Sequence, residues 1–141
     1  MSDKYFLDTN IFIYTFDSRY KAKQRIATEL IKSSITSQNG VISYQVVQEF
    51  VNVATRKFSQ PLSYQDCSQY FKQILNPLCE IYASPILFEN AFEVAERWQY
   101  SYYDSLIISA SLSAGCSVLY SEDLHHGQEI QSLKIVDPFQ N

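Results

Sequence analysis

Residues 5–10 read Tyr-Phe-Leu-Asp-Thr-Asn, and the change of character inside that hexapeptide decides the fold. Tyr5-Phe6-Leu7 is a short apolar run, and Asp8-Thr9-Asn10 are turn and cap formers, so the segment reads as a buried strand that stops at a carboxylate. Ile11-Phe12-Ile13-Tyr14 then begin a helical segment. The same alternation recurs along the chain. Further strands are expected at Val41-Ile42-Ser43 after the Asn39-Gly40 turn, at Cys79-Glu80-Ile81-Tyr82, at Val118-Leu119-Tyr120 and at Ile135-Val136. Between them, apolar residues recur at helical spacing over 21–34 and 44–58. Ser63 offers a cap for a helix running to Leu75, and Pro85 stands near the start of another that carries Leu87, Ala91, Val94 and Trp98. The apolar stretch 103–114 is a further helix, ended by Gly115. Short strands alternating with helices predict an α/β fold, a parallel sheet with helices on both faces.

Composition bounds the rest. A chain of 141 residues has the size of one domain, spanning 1–141, and 46% hydrophobic residues suffice for one core. With 18% charged residues the chain is not of the disordered class. No apolar run approaches the roughly 20 residues of a membrane span, and Met-Ser-Asp-Lys does not resemble a signal peptide, so no membrane partner and a cytoplasmic location are expected. Cys67, Cys79 and Cys116 contain no CxxC pair and read as small buried apolar residues. The net charge of −4 hides an asymmetry. Residues 1–76 hold nine Lys/Arg against six Asp/Glu, and residues 77–141 two against nine. Arg19, Lys21, Lys23 and Arg25, with Arg56 and Lys57, are therefore candidate RNA-binding residues; the simpler reading is a solvated helix face.

In parallel α/β sheets ligands bind beyond the carboxyl ends of the strands. Asp8 follows the first strand, and Ser121-Glu122-Asp123 follow the strand ending at Tyr120. Asp8 and Asp123 could each simply cap a helix or turn. Glu49 lies in an apolar helix beside Phe50, either against the buried stripe or at its exposed boundary. Asp104 opens the helix over 104–114, where it also suits the helix dipole. Four carboxylates on one edge would repel one another unless a cation were present. Mg²⁺ or Mn²⁺ is bound by a few carboxylates plus waters and substrate phosphate, and supports hydrolysis of a phosphodiester without a His, Cys or Lys nucleophile. The only two histidines, His125 and His126, are adjacent in a loop. Tyr100, Tyr102 and Tyr103, just before Asp104, suit core packing, a dimer contact or stacking on an unpaired base.

Four segments carry a resemblance: Phe-Leu-Asp-Thr-Asn at 6–10, Gln-Glu-Phe at 48–50, Tyr-Tyr-Asp-Ser-Leu-Ile at 102–107 and Leu-Tyr-Ser-Glu-Asp-Leu at 119–124. In this order and spacing the chain resembles PIN-domain nucleases, especially the small VapC-type toxins of bacterial toxin–antitoxin pairs. The resemblance implies a three-layer α/β/α fold with a central parallel sheet of four to five strands. It implies Mg²⁺- or Mn²⁺-dependent endonucleolytic cleavage of RNA, a homodimer and a cognate antitoxin. Asp8, Asp104 and Asp123 would be the main metal ligands, and Glu49 a ligand or the group that positions the attacking water. Asn10 and Ser121 match the small polar residues that support such a site. Glu122, beside Asp123, is the reserve for the last ligand, and Asp17 matches no role.

Two other readings compete. A phosphatase of the haloacid-dehalogenase type also has an Asp after its first strand, but it needs a second Asp two residues later, where this chain has Asn10. A PIN-like module that binds RNA or a partner without catalysis would more commonly have lost one of the acids.

Overall fold

The computed structural model describes residues 3–140. Strand β1 (Tyr5–Leu7) leads into helix α1 (Thr9–Tyr14), then α2 (Lys21–Ser37), β2 (Gly40–Ser43) and α3 (Tyr44–Arg56). There follow α4 (Tyr64–Tyr70), a π turn (Phe71–Leu75), the single turn α5 (Asn76–Leu78) and β3 (Cys79–Ile81). Two longer helices, α6 (Pro85–Trp98) and α7 (Tyr102–Ser113), precede β4 (Val118–Tyr120), β5 (Glu129–Ile130) and β6 (Leu133–Val136).

The strands form a six-stranded sheet in the order β3-β2-β1-β4-β6-β5. Five pair in parallel, and β5 runs antiparallel to β6. The five parallel strands are those expected from the sequence. The sixth, two residues long, is too short to leave a pattern, and its link to β6 turns at Gln131, whose φ is 55°. From β1 the chain winds outward through β2 to β3, then reverses and returns to the other side of β1. With right-handed crossovers, that reversal puts α6 and α7 on the face opposite α1 to α5. All four residues of β2 are buried, as a strand covered on both faces requires.

Local chemistry accounts for the helix ends. Ser84 Oγ accepts from Leu87 N at 3.2 Å, and Pro85 takes the first helical position of α6. Ser101 Oγ accepts from Asp104 N at 3.2 Å, so α7 starts at Tyr102, one residue before the start expected from its apolar pattern. Every residue from Ser105 to Ser111 is buried, which explains why α7 reads as apolar all round. The helix expected to end at Leu75 instead continues for one more turn through Asn76 and Pro77. Pro77 lies near the end of a helical run that is unbroken from α4, just after Asn76, whose N–H reaches back to Phe71 O across the π turn.

Phe6, Phe12, Phe50, Ile42, Ile108, Leu119 and Ile135 are among the fully buried side chains of the core. Cys67 and Cys116 are buried and Cys79 half-buried, all as free thiols. No helix among the described residues is long and apolar enough to cross a membrane.

β2 begins where the chain passes closest to α2. A Cβ at Gly40 would stand 2.3 Å from Ser34 Cβ, and Ser34 is held in place by bonds from its Oγ to Leu30 O at 2.7 Å and Tyr5 Oη at 3.1 Å. Gly40→Ala should therefore lower the urea midpoint, at a cost of about 1–3 kcal/mol with an unchanged m-value.

Candidate active site

The winding direction reverses between β1 and β4, the position at which an open α/β sheet has its ligand crevice. Asp8 and Ser121 leave the two strands side by side there, with Asp8 N donating to Tyr120 O at 3.0 Å. Ser121 Oγ donates to Asp8 Oδ2 at 2.7 Å, and Thr9 N donates to Asp8 Oδ1 at 2.8 Å. The carboxylate thus caps α1, as the simpler sequence reading allowed, and also faces the crevice.

The next two residues each hold another acid. Thr9 Oγ1 donates to Glu49 Oε1 at 2.7 Å, joining α1 to α3. Asn10 Nδ2 donates to Asp123 Oδ2 at 2.7 Å, joining α1 to the segment after β4. Consecutive residues of one tripeptide therefore supply one acid and position two more. Glu49 is half-buried, so its place is the boundary of the apolar stripe, and Asp123 is exposed.

Asp104 enters from the other face. It is half-buried in the first turn of α7, and no hydrogen bond joins its side chain to the other three acids. Its position relative to α3 is set one residue earlier. Gln45, buried and one turn before Glu49, donates from Nε2 to Tyr103 O at 3.1 Å. Gln45 and Thr9 were not singled out by sequence. Thr9 lay within the quoted motif, whereas Gln45 showed only as a polar residue on an apolar helix.

Burial raises the Asp8 carboxyl, its bonds from Ser121 and Thr9 lower it, and the charges of Glu49 and Asp123 raise it again, leaving it at about 6. Among the described residues, no three His, Cys, Asp or Glu side chains close into a metal cage. The site is instead an open, oxygen-only wall with excess negative charge. That suits Mg²⁺, which keeps several waters and takes only one or two protein carboxylates.

Glu122, the reserve ligand, is engaged elsewhere. Tyr14 Oη donates to its Oε1 at 2.6 Å, and Lys23 Nζ donates to its Oε2. Of the six basic candidates, Lys23 is thus paired, and Arg19 forms an ion pair with Asp17 at 2.9 Å. Lys21, Arg25, Arg56 and Lys57 are exposed. Tyr100 donates to Gln128 Oε1 at 2.5 Å and accepts from His125 N at 3.3 Å, a structural role. His126 Nδ1 accepts from Asp137 N at 2.9 Å. Tyr103 is 70% exposed beside Asp104.

The acids line neither of two cavities. One, of about 350 Å³, lies between α6 and α7, and the other, of about 950 Å³, is floored by Ile13, Phe16, Val53, Phe58 and Leu62.

An α/β sheet with carboxylates gathered at its switch point defines the class of protein. The PIN domain model matches residues 5–128, and the chain belongs to the PIN-domain family. No curated protein matches it. Solved structures with the same fold include a toxin–antitoxin complex from Klebsiella pneumoniae, at 17% identity and TM-score 0.67, covering 96% of this chain and 98% of that one. VapBC-1 from nontypeable Haemophilus influenzae is similar at 24% identity and TM-score 0.63, covering 96% and 98%. The Mycobacterium tuberculosis toxin VapC20, described as cleaving the sarcin–ricin loop, is similar at 18% identity and TM-score 0.59, covering 85% and 90%.

The raised Asp8 gives a pH test on metal-free protein. Below pH 4 the group is protonated in both folded and unfolded states and costs nothing. Between 4 and about 6 the unfolded chain ionises first, so folding stability falls as pH rises, and above 6 the loss is complete. Asp8→Asn removes that penalty. At pH 7.5 the variant should melt above the wild type by an amount worth about 2–3 kcal/mol, a difference that closes near pH 4.

Proposed function

We propose that residues 1–141 act as one PIN domain that hydrolyses RNA phosphodiester bonds with the help of Mg²⁺ or Mn²⁺, as the toxin of a toxin–antitoxin pair. The observation that carries this reading is the tripeptide Asp8-Thr9-Asn10, which supplies one acid and hydrogen-bonds Glu49 and Asp123 into the same crevice. Asp8, Asp123 and Asp104, with Glu49, are the residues that would hold the ion. When bound, such an ion supplies a water of lowered pKa and neutralises charge on the reacting phosphate.

The chain's own residues do the rest. Ser121 and Thr9 fix the Asp8 carboxylate from both sides, and Asn10 fixes Asp123. Glu49 spends Oε1 on Thr9, which leaves Oε2 to accept a proton from the water that attacks phosphorus. Lys21, Arg25, Arg56 and Lys57 are the basic side chains left to meet phosphates outside the crevice. An open site, outside the two cavities, suits a polymer better than a small phosphomonoester.

The toxin assignment is supported by relatives of the same fold that are described as toxin–antitoxin complexes. Under it the partners are RNA, an antitoxin and a second copy of this chain, all met in the cytoplasm. Exposed Ile86 and Phe92 on α6 offer apolar surface for the second copy, and the groove at Phe16 offers it for an antitoxin.

The test is to incubate partner-free protein with a mixed RNA pool with and without Mn²⁺. Metal-stimulated cleavage is expected, falling at least about 100-fold in Asp8→Ala and in Asp104→Asn. Cleavage that persists unchanged in Asp8→Ala would overturn the site. Mn²⁺ should also raise the melting temperature of the wild type and not that of Asp8→Ala.

A further inference from the structure

Ser121, Glu122 and Asp123 are consecutive residues leaving β4, and each is bonded to a different residue of the β1–α1 segment. Ser121 bonds Asp8, Asp123 bonds Asn10, and Glu122 bonds Tyr14. Glu122 is thus tied to the last residue of α1, whereas Ser121 and Asp123 are tied to residues 8 and 10 at its start. Sequence spacing alone leaves either acid able to face the crevice. A second set of contacts selects between them.

Both oxygens of Glu122 are occupied. Oε1 accepts from Tyr14 Oη at 2.6 Å, Oε2 accepts from Lys23 Nζ, and Lys23 also donates to Tyr14 Oη at 3.3 Å. Lys23 is itself boxed by aromatic rings. Its Nζ lies 5.0 Å from the Tyr14 ring, 5.6 Å from Tyr20 and 5.7 Å from Phe139. Tyr14 and Phe139 pack edge to face at 5.0 Å, closing the box from the C-terminal side. Tyr14 of α1 and Lys23 of α2 therefore both hold Glu122, and Phe139, after β6, packs against those two side chains.

We propose that Lys23 and Tyr14 form a clamp that holds Glu122 out of the acidic crevice and so presents Asp123 to it. Glu122, Lys23 and Tyr14 are positioning residues. Lys23, a basic residue near the site, spends its charge on this clamp and not on an RNA phosphate. Supporting groups of this kind are commonly worth ten- to a hundredfold in metal affinity. The consequence for catalysis rests on the nuclease reading given above; the consequence for the position of Asp123 does not.

The experiment follows the side-chain amide signals of Asn10 by NMR in metal-free protein, because Asn10 Nδ2 donates to Asp123 Oδ2. Asp123→Ala marks the position of those signals when the bond is absent. Lys23→Met and Glu122→Gln should both move the Asn10 signals toward that position, Lys23→Arg should largely restore them, and Lys32→Met, elsewhere on α2, should leave them unmoved. Glu122→Gln keeps size and shape and serves if Lys23→Met does not fold. In parallel, calorimetric Mn²⁺ titration should give affinity about tenfold weaker in Lys23→Met than in wild type. Asn10 signals unmoved in both Lys23→Met and Glu122→Gln would overturn the clamp. A salt dependence of RNA binding reduced by about one in Lys23→Met would overturn it too, since Lys23 would then be a phosphate contact. Absence of Mn²⁺ uptake by the wild type would count against the nuclease reading alone, leaving the NMR result to decide the clamp.

Discussion

The parallel pairing of β1 with β4 is the constraint from which the rest of the site follows. It sets Leu7 against Tyr120, so that Asp8 and Ser121 leave neighbouring strands at the same level. Neither strand is more than three residues long, and neither would hold this register alone. Phe6, Leu7 and Leu119 are completely buried between helices, and a slip of one residue would be costly because it would draw a polar or charged neighbour such as Asp8 into that core. Once the register is set, α1 has one direction to leave in, and residues 8 to 10 meet their partners without further adjustment.

The electrostatics of the crevice have a simple logic. The acids Asp8, Glu49 and Asp123 are held by a serine hydroxyl, a threonine hydroxyl and an asparagine amide. Those donors orient a carboxylate without neutralising it. Cations are used elsewhere: Arg19 on Asp17, Lys4 on Glu80 and Lys23 on Glu122. Ion pairs therefore brace the periphery, while the crevice keeps its charge and a raised Asp8. A group arranged only for stability would not gather like-charged carboxylates without a neutralising partner.

What could be seen in the sequence was whatever depended on neighbours along the chain. Tyr5-Phe6-Leu7 followed by Asp8 shows a strand and its end in one glance, as does Val118-Leu119-Tyr120 followed by Ser121. The apolar stretch ended by Gly115 put Asp104 in the first turn of a helix, and the Ser101 cap begins that helix one residue earlier than expected. What could not be seen depended on contacts across long separations. Glu49 is placed by Thr9, 40 residues away, and its helical pattern alone sets it only near a boundary. Asp123 and Glu122 are distinguished by Lys23, 99 residues before Glu122. Charge counting grouped Lys23 with Lys21 and Arg25, yet its partner was invisible to any local window. Arg19 is the contrary case, since Asp17 stands only two residues before it. The two-residue β5 left no signal at all.

The two bonds that join the ends of the crevice, Ser121 to Asp8 and Asn10 to Asp123, each bridge 113 residues. Contacts so distant form late, because the entropy of closing the loop must be met before they can reward it. During synthesis, β1 is made long before its partner β4. A ribosome at work on this chain therefore carries a strand with one open edge and an incomplete acid set until residues 118–123 have cleared its exit.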